Sequence, residues 1–356
     1  MFYTKVLRPI FFLCDPEFMH DFMLFFGRTF GAIAPIRFLL GLVWGYRGPD
    51  ISKTVDGIWY ERPVLLSAGF DCDGELGQIL PSISFGGEEV GSVTARACAG
   101  NPKPRLTRLV RNKSIVVYKG LKNQGSNVIA KRLASKQITR GFVIGISIAQ
   151  TNDEKVCDAE AGIEDYHATF KIMNEMGVGD YYTINISCPN TFGGETFTTP
   201  ELLTRLLEKL ATVPCSKPRY VKMPINLEWS DFKKLLEIID RFGYNGVVIG
   251  NLNKKYSLID FPEDAPREWR GGLSGKTCFE LSNELIRKTR AAYGKRFTII
   301  GVGGIFSPED ALVKFRAGAD LVQLITGIIF EGPGLIGRIC NAYAKEYAPT
   351  QASAQR

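Results

Sequence analysis

Histidine is almost missing from this chain. His20 and His167 are the only two in 356 residues, so a multi-histidine zinc site or a two-histidine acid–base pair is not expected. The eight cysteines, Cys14, Cys72, Cys98, Cys157, Cys188, Cys215, Cys278 and Cys340, contain no C-x-x-C pair. With no secretory leader and cleavage site in view, that usage points to a reducing compartment and away from metal chemistry. Arg28 and Arg37 break up the apolar amino-terminal stretch, so no uncharged run reaches the length of a membrane-spanning helix. A dense basic run is also lacking: the net charge is +7, but Lys and Arg are scattered, which favours anionic ligands or an anionic surface over nucleic acid.

What the chain does have is an ordinary globular balance, 45% hydrophobic and 23% charged. Its length suits one α/β barrel of about 250 residues plus an extension. Twelve aromatics fall between Phe2 and Tyr46, out of 23 Phe, 13 Tyr and 4 Trp in all, and that density sets residues 1–48 apart. Phe11, Phe12, Phe18, Phe22, Phe25, Phe26 and Phe30 recur largely at helical spacing, with Asp15-Pro16-Glu17 as a helix start, and a second apolar stretch runs from Ala32 to Trp44. Two short helices lying in a membrane interface are expected, with Lys5, Arg8, Arg28, Arg37 and Arg47 toward headgroups. The alternative is an amphipathic lid on the chain's own core.

From Pro63 onward β-rich runs alternate with helical patterns. The expected strands are Val64–Ser67, Glu89–Val93, Phe142–Ile148, Tyr182–Ser187, Tyr220–Met223, Gly246–Asn251, Thr298–Val302 and Leu321–Ile325. Helical spacing marks Ile163–Met176, Pro200–Leu210, Trp229–Phe242, Phe279–Ala292 and Pro308–Arg316. Near-continuous apolar strands in strict alternation with helices imply a parallel sheet, and eight units imply closure into a (β/α)8 TIM barrel over residues 49–348, with a doubly wound open sheet as the alternative. Residues 349–356 read as a polar tail.

In such a barrel the chemistry sits at the carboxyl ends of the strands. The fourth strand ends in Asn185, Ser187, Cys188 and Asn190. Two amides flanking a thiol exceed what a turn needs and suggest a planar, polar ligand, although a buried Cys beside a turn is also ordinary. Gly271-Gly-Leu-Ser-Gly275, expected to open a helix, and Gly301-Val-Gly-Gly304, closing the seventh strand, allow backbone N–H groups to approach a phosphate. Lys222 on the fifth strand is costly to bury unless it meets an anion, a rim carboxylate or an electron-rich ring such as a flavin.

Seven motifs together resemble the dihydroorotate dehydrogenases, in particular the membrane-associated, quinone-linked class 2. They are Asp15-Pro-Glu-x-x-His20, Gly69-Phe-Asp-Cys-Asp-Gly-Glu75, Gly100-Asn-Pro-Lys-Pro-Arg-Leu-Thr-Arg108, Asn185-Ile-Ser-Cys-Pro-Asn-Thr191, Gly271-Gly-Leu-Ser-Gly-Lys276, Ile300-Gly-Val-Gly-Gly304 and Phe330-Glu-Gly-Pro333. The resemblance implies FMN held near Ala68, Gly69, Ser92, Asn185, Lys222, Gly250, Ser274, Gly275, Gly303, Gly304 and Thr326. It implies dihydroorotate on Asn185, Asn190 and Asn251, and Cys188 as the base that takes the C5 proton while a hydride leaves C6, giving orotate for pyrimidine synthesis. His20 and Arg108 would meet a quinone head, and a bacterial chain of this kind would be a peripheral protein on the cytoplasmic face of the cell membrane.

The chain departs from the class 2 pattern at several positions. Class 2 enzymes usually have Ser where Cys188 stands; Cys is the class 1 base. A substrate- and flavin-contacting lysine is replaced by Cys72, an asparagine by Val117, a phenylalanine by Leu121, a threonine by Leu252, a flavin-side asparagine by Ser147 and a quinone-side tyrosine by Ile325. Lys119 and Lys122 lie on the same loop as Val117, where a surface role is expected, with a replacement cation as the other reading. The resemblance therefore leaves two alternatives open: a paralogue acting on another planar ring, or a non-catalytic flavin-binding protein. The tRNA dihydrouridine synthases, another flavin barrel with a cysteine, fit less well because little chain follows the barrel for RNA binding.

Overall fold

The computed structural model describes residues 2–156, 158–191, 196–266 and 270–348; Cys157 and the polar tail of residues 349–356 fall outside them. Among the described residues thirteen strands run in chain order as β1 (Lys53–Val55), β2 (Ile58–Tyr60), β3 (Val64–Leu66), β4 (Gly87–Val93), β5 (Leu106–Leu109), β6 (Ser114–Val117), β7 (Val143–Ile148), β8 (Tyr181–Asn185), β9 (Arg219–Met223), β10 (Gly246–Ile249), β11 (Gly272–Gly275), β12 (Thr298–Val302) and β13 (Leu321–Leu324). Eight of them close a barrel in the order β10-β12-β13-β3-β4-β7-β8-β9, every pair parallel. The eight expected strands are these eight, and the open-sheet alternative is set aside by the closure.

The barrel strands are almost wholly buried because helices cover them outside and side chains fill them inside. Among the helices are α1 (Arg8–Leu13), α2 (Pro16–Gly31), α3 (Ala34–Trp44), α4 (Ser126–Ser135), α5 (Ala159–Glu175), α6 (Pro200–Ala211), α7 (Trp229–Arg241), α8 (Phe279–Tyr293), α9 (Pro308–Ala317), α10 (Thr326–Glu331) and α11 (Gly334–Tyr347). In α6 the local logic is plain. Thr199 caps the amino end by accepting from the Leu202 amide, Pro200 sits where its missing N–H is harmless, and Leu203, Leu206, Leu207 and Leu210 bury one face against the barrel. Each such leucine stabilises by ~1.5–3 kcal/mol relative to exposure. Inside the barrel Leu65, Val143, Tyr181, Tyr220, Val248, Ile300 and Leu321 pack with Val55 and Tyr60 of the β1–β2 hairpin, which plugs the amino-terminal end.

The opposite end is roofed by an antiparallel sheet in the order β11-β6-β5. Here the structure differs from the sequence expectation. Gly271–Gly275 does not open a helix directly: Gly272–Gly275 is a strand paired with β6, and a short 3-10 turn, Lys276–Cys278, intervenes before α8. Backbone pairing with a distant segment outweighs the local glycine signal.

The amino-terminal helices sit beside this roof. Asp15 caps α2 by accepting from the Glu17 and Phe18 amides. Tyr3 donates to the Ile329 carbonyl (2.6 Å), the Phe12 ring meets Phe330 edge-on, and Ser84 Oγ is bonded to both Trp44 O and Tyr46 N. No single helix among the described residues is long and apolar enough to cross a membrane, and α2 and α3 meet at a bend of 111°. Their outer surface is apolar: Phe18, Phe25, Phe38, Leu39, Leu42 and Val43 are exposed, Phe38 by 67% and Val43 by 69%. The arginines expected at headgroups also make intramolecular bonds, Arg8 to Phe330 O, Arg28 to Glu75, Arg37 to Gly31 O and Arg47 to Leu42 O. Lys5 is exposed.

Candidate active site

Between the carboxyl ends of the strands and the roof lies a cleft of about 910 Å³, its mouth included. A smaller hollow of about 500 Å³ adjoins it, sharing Ala68, Lys222, Asn251, Ser274 and Thr326. The cleft collects His20, Ala68, Gly69, Ser92, Asn185, Cys188, Asn190, Lys222, Asn251, Ser274 and Thr326; Gly250, Gly303 and Gly304 line the hollow. Of the residues assigned from the resemblance to flavin, substrate, base or quinone, Gly275 and Arg108 line neither.

One wall is a hydrogen-bonded chain across β4, β7 and β8. Ser92 Oγ and Ser147 Oγ are 2.8 Å apart, and Asn185 Nδ2 donates to Ser92 Oγ at 2.8 Å. The Asn185 carbonyl then accepts from Ser187 N (3.2 Å), Ser187 Oγ (3.1 Å) and Asn251 Nδ2 (3.4 Å), while Asn251 Nδ2 also reaches Ser187 Oγ at 2.8 Å. These bonds fix which way each amide points. Ser187, named in the strand-end cluster but given no role from sequence, is the link between the two asparagines. Asn190 donates to the Val117 carbonyl (2.8 Å), yet its own Oδ1 is buried with no hydrogen-bond partner among the described residues. An orphaned buried acceptor is the mark of a missing donor. Cys188 stands half-buried between Ser187 and Asn190 and is not in a disulfide.

Beneath the floor, Lys222 Nζ lies 3.6 Å from Glu89 Oε1 and donates to Ser67 Oγ at 3.3 Å. The carboxylate considered from sequence as a rim partner is thus in the barrel interior. Lys222 nevertheless still faces both spaces above it. Glu89 Oε2 takes donors from Thr183 (2.9 Å), Gln323 (3.1 Å) and Tyr181 (3.4 Å). Burial, then the Glu89 charge, pushes the Tyr181 phenol far above its ordinary value, so it stays a neutral donor.

The hollow is shaped for close backbone approach. Gly303 has φ 108° and Gly304 φ 73°, conformations that side-chain-bearing residues rarely adopt. A Cβ on Gly303 would come within 2.8 Å of the Cys278 Cβ, and one on Gly304 within 2.5 Å of the Phe279 Cβ. Ser274 Oγ and Thr326 Oγ1, 2.6 Å apart, add hydroxyls beside it. A cradle of bare backbone and hydroxyls after the seventh and eighth barrel strands fits a phosphate group.

The mouth is mixed. Val117, Leu121, Leu252 and Ile325 make it apolar, and Cys72, His20 and Lys119 give it polarity. His20 donates from Nε2 to the Phe70 carbonyl at 2.8 Å. Burial first, then the nearby Lys119 charge, lowers its pKa, so the ring is neutral. Lys119, expected at the surface, instead directs its ammonium to Gly69 O (3.2 Å), close to Cys72 Sγ (3.7 Å). No local signal marks this; the loop folds back only because its backbone is bonded elsewhere. Arg108 donates to the Cys14 and Phe12 carbonyls and lies over the Phe12 ring at 4.7 Å, binding α1 to the roof.

Comparison with known proteins gives a consistent answer. The family described as dihydroorotate dehydrogenase matches residues 51–346. The dihydroorotate dehydrogenase (quinone) of Synechococcus sp. (strain JA-3-3Ab) is 34% identical over 364 aligned positions, covering 99% of this chain and 95% of that one. The enzyme of the same description from Trichormus variabilis is 36% identical over 295, covering 81% and 77%. A solved structure of DHODH from Eimeria tenella superposes with a TM-score of 0.78 at 23% identity, covering 93% of this chain and 91% of that one, and so shares the fold.

Proposed function

The chain belongs to the dihydroorotate dehydrogenase family, and from that premise we propose that it oxidises (S)-dihydroorotate to orotate in pyrimidine biosynthesis, with FMN as cofactor and a quinone as electron acceptor. The observation that carries the reading is the convergence of Cys188, Asn185, Asn190 and Asn251 on one cleft that runs into a backbone-lined hollow.

In this reading Gly303, Gly304, Gly275, Ser274 and Thr326 hold the FMN phosphate, Ala68, Gly69, Gly250, Ser92 and Asn185 flank the ring, and Lys222 faces the ring's electron-accepting end. FMN supplies the acceptor for the hydride leaving C6. The protein's own contribution is positioning and proton transfer. Asn190 Oδ1 takes a ring N–H of the substrate, which satisfies its orphaned acceptor. Asn185 and Asn251, already fixed by Ser187, present oriented amides to the planar ring. Cys188 takes the proton from C5. A thiol has an ordinary pKa of about 8.5, close enough to neutral pH to serve as a base with a modest electropositive shift.

We assign the amino-terminal segment of residues 1–48 to peripheral membrane contact and quinone access, at the cytoplasmic face in a bacterial cell. The support is the exposed Phe18, Phe25, Phe38 and Val43 on helices too short to span. His20, neutral and at the mouth, is the polar contact for the quinone head; Arg108 holds the helix that borders the entrance.

Anaerobic addition of dihydroorotate to the FMN-loaded protein tests the whole reading. Loss of the oxidised-flavin absorbance is expected; a spectrum that stays oxidised at saturating substrate contradicts it.

A further inference from the structure

The cleft mouth holds a positive charge with no opposite charge to meet it. Lys119 follows β6 on a loop tied down from three sides: Tyr118 N donates to Arg105 O, Asn101 N to Lys119 O, and Cys98 Sγ to Gly120 O. The side chain therefore leaves a fixed stem and enters the cleft. Its ammonium has three donors. One goes to Gly69 O at 3.2 Å, and Cys72 Sγ at 3.7 Å is a weak second acceptor. His20 Nε2 is 3.4 Å away, but that nitrogen carries its hydrogen toward Phe70 O and has no lone pair to offer. No carboxylate among the described residues lies within ion-pair distance of Lys119; Asp21 sits across the imidazole, against Nδ1. Apart from the exposed Lys122, the mouth around Lys119 is formed by the apolar Val117, Leu121, Leu252 and Ile325. An ammonium beside these apolar side chains, with a single strong acceptor, is a site for an anion.

A second observation, independent of the first, concerns the other side of the same cleft. The Asn190 Oδ1 is buried without a partner among the described residues and calls for a donor such as a ring N–H. A ligand that carries an anionic group and a ring N–H satisfies both at once. Dihydroorotate has one carboxylate and a ring with two N–H groups.

Resting on the functional reading above, we propose that Lys119 is the carboxylate-binding residue of this site, with the Cys72 thiol as the neutral neighbour that leaves room for its ammonium. The specificity-determining cation of the pocket then comes from the roof loop and not from the segment after β3. Lys122 is exposed at the same mouth and has no part in it.

Binding of orotate and of uracil, which lacks the carboxylate, is measured by calorimetry on the FMN-loaded protein and its variants. Lys119→Met is expected to weaken orotate by roughly 10- to 100-fold, the range for loss of one charge-assisted hydrogen bond, and to leave uracil unchanged. Lys119→Arg should retain most of the preference for orotate, and Lys122→Met should behave as wild type. Adding Cys72→Lys to Lys119→Met should return orotate affinity, since the two side chains occupy the same corner. Wild-type affinity for orotate in Lys119→Met overturns the assignment alone, as does an equal loss of uracil. Wild-type protein that binds no orotate overturns the functional reading and this assignment with it.

Discussion

The Glu89 carboxylate and the Lys222 ammonium face each other at 3.6 Å inside the barrel, each almost wholly removed from solvent. Glu89 Oε1 makes no hydrogen bond among the described residues, so its compensation on that side is the lysine's charge. Removing one partner of a buried pair leaves the other charged and unpaired, a loss of ~3–5 kcal/mol. Glu89→Gln should therefore lower the unfolding free energy of the flavin-free protein by that order, read as a fall in the guanidinium midpoint. An unaltered midpoint would show that Lys222 finds another counter-charge.

Gly303→Val should yield colourless protein. The new side chain meets Cys278 at the cradle and demands a backbone conformation that a β-branched residue rarely takes. Absorbance of the purified variant, before and after incubation with FMN, is the check; a variant that stays yellow argues that the phosphate lies elsewhere.

Cys188→Ala should slow flavin reduction by at least ~10², the usual loss with a general base, while FMN remains bound. Stopped-flow reduction by dihydroorotate reads this directly. Wild-type rates in the variant would shift attention to Cys72, the other thiol in the cleft.

Phe38 and Val43 are exposed on α3, away from the cleft, so charging them leaves the barrel intact. Phe38→Glu with Val43→Glu should abolish cosedimentation with anionic liposomes and slow quinone turnover, with substrate reduction of the flavin unchanged. Undiminished liposome binding would make the helices a lid and nothing more.

Lys314 is fully buried, bonded to Ser282 and Asn283, and burial lowers its pKa from 10.5 to about 7. Between about 7 and 10.5 the unfolded chain holds a proton that the folded chain does not, so stability from this group rises with pH across that window. Below it both states are protonated and the burial penalty is complete. The stability difference between Lys314→Met and wild type should accordingly be most favourable to the variant near pH 6. It should shrink by ~1.4 kcal/mol per pH unit above pH 7. Parallel pH profiles for the two proteins would refute the assignment.

The barrel was legible because its strands are written in one short alphabet. Val64–Leu66 and Thr298–Val302 are apolar on both faces, and α6 and α7 repeat leucine and isoleucine at three and four residues. The asparagines and Cys188 were legible because strand ends do not otherwise need them. The roof was not. β5 and β6 are four residues each, and β11 is a glycine-rich segment whose partner lies far away in sequence, so no local period announces the sheet. Lys119 followed from that gap: with the roof unseen, a lysine on its edge reads as solvent-facing. Glu89 was one of two adjacent carboxylates in its strand, and only the closed barrel reveals that its side chain points at Lys222.

The roof also dictates an order of assembly. Val117 pairs with Gly272, and Ser114 with Gly275, so a chain emerging from the ribosome carries β5 and β6 long before their edge has a partner. Until β11 arrives, the Val117 carbonyl that seats Asn190 and the Ser274 hydroxyl that meets Thr326 have no common frame. The catalytic mouth is therefore a late product of synthesis, and a nascent barrel with its first six barrel strands in place still has no enclosed site to load.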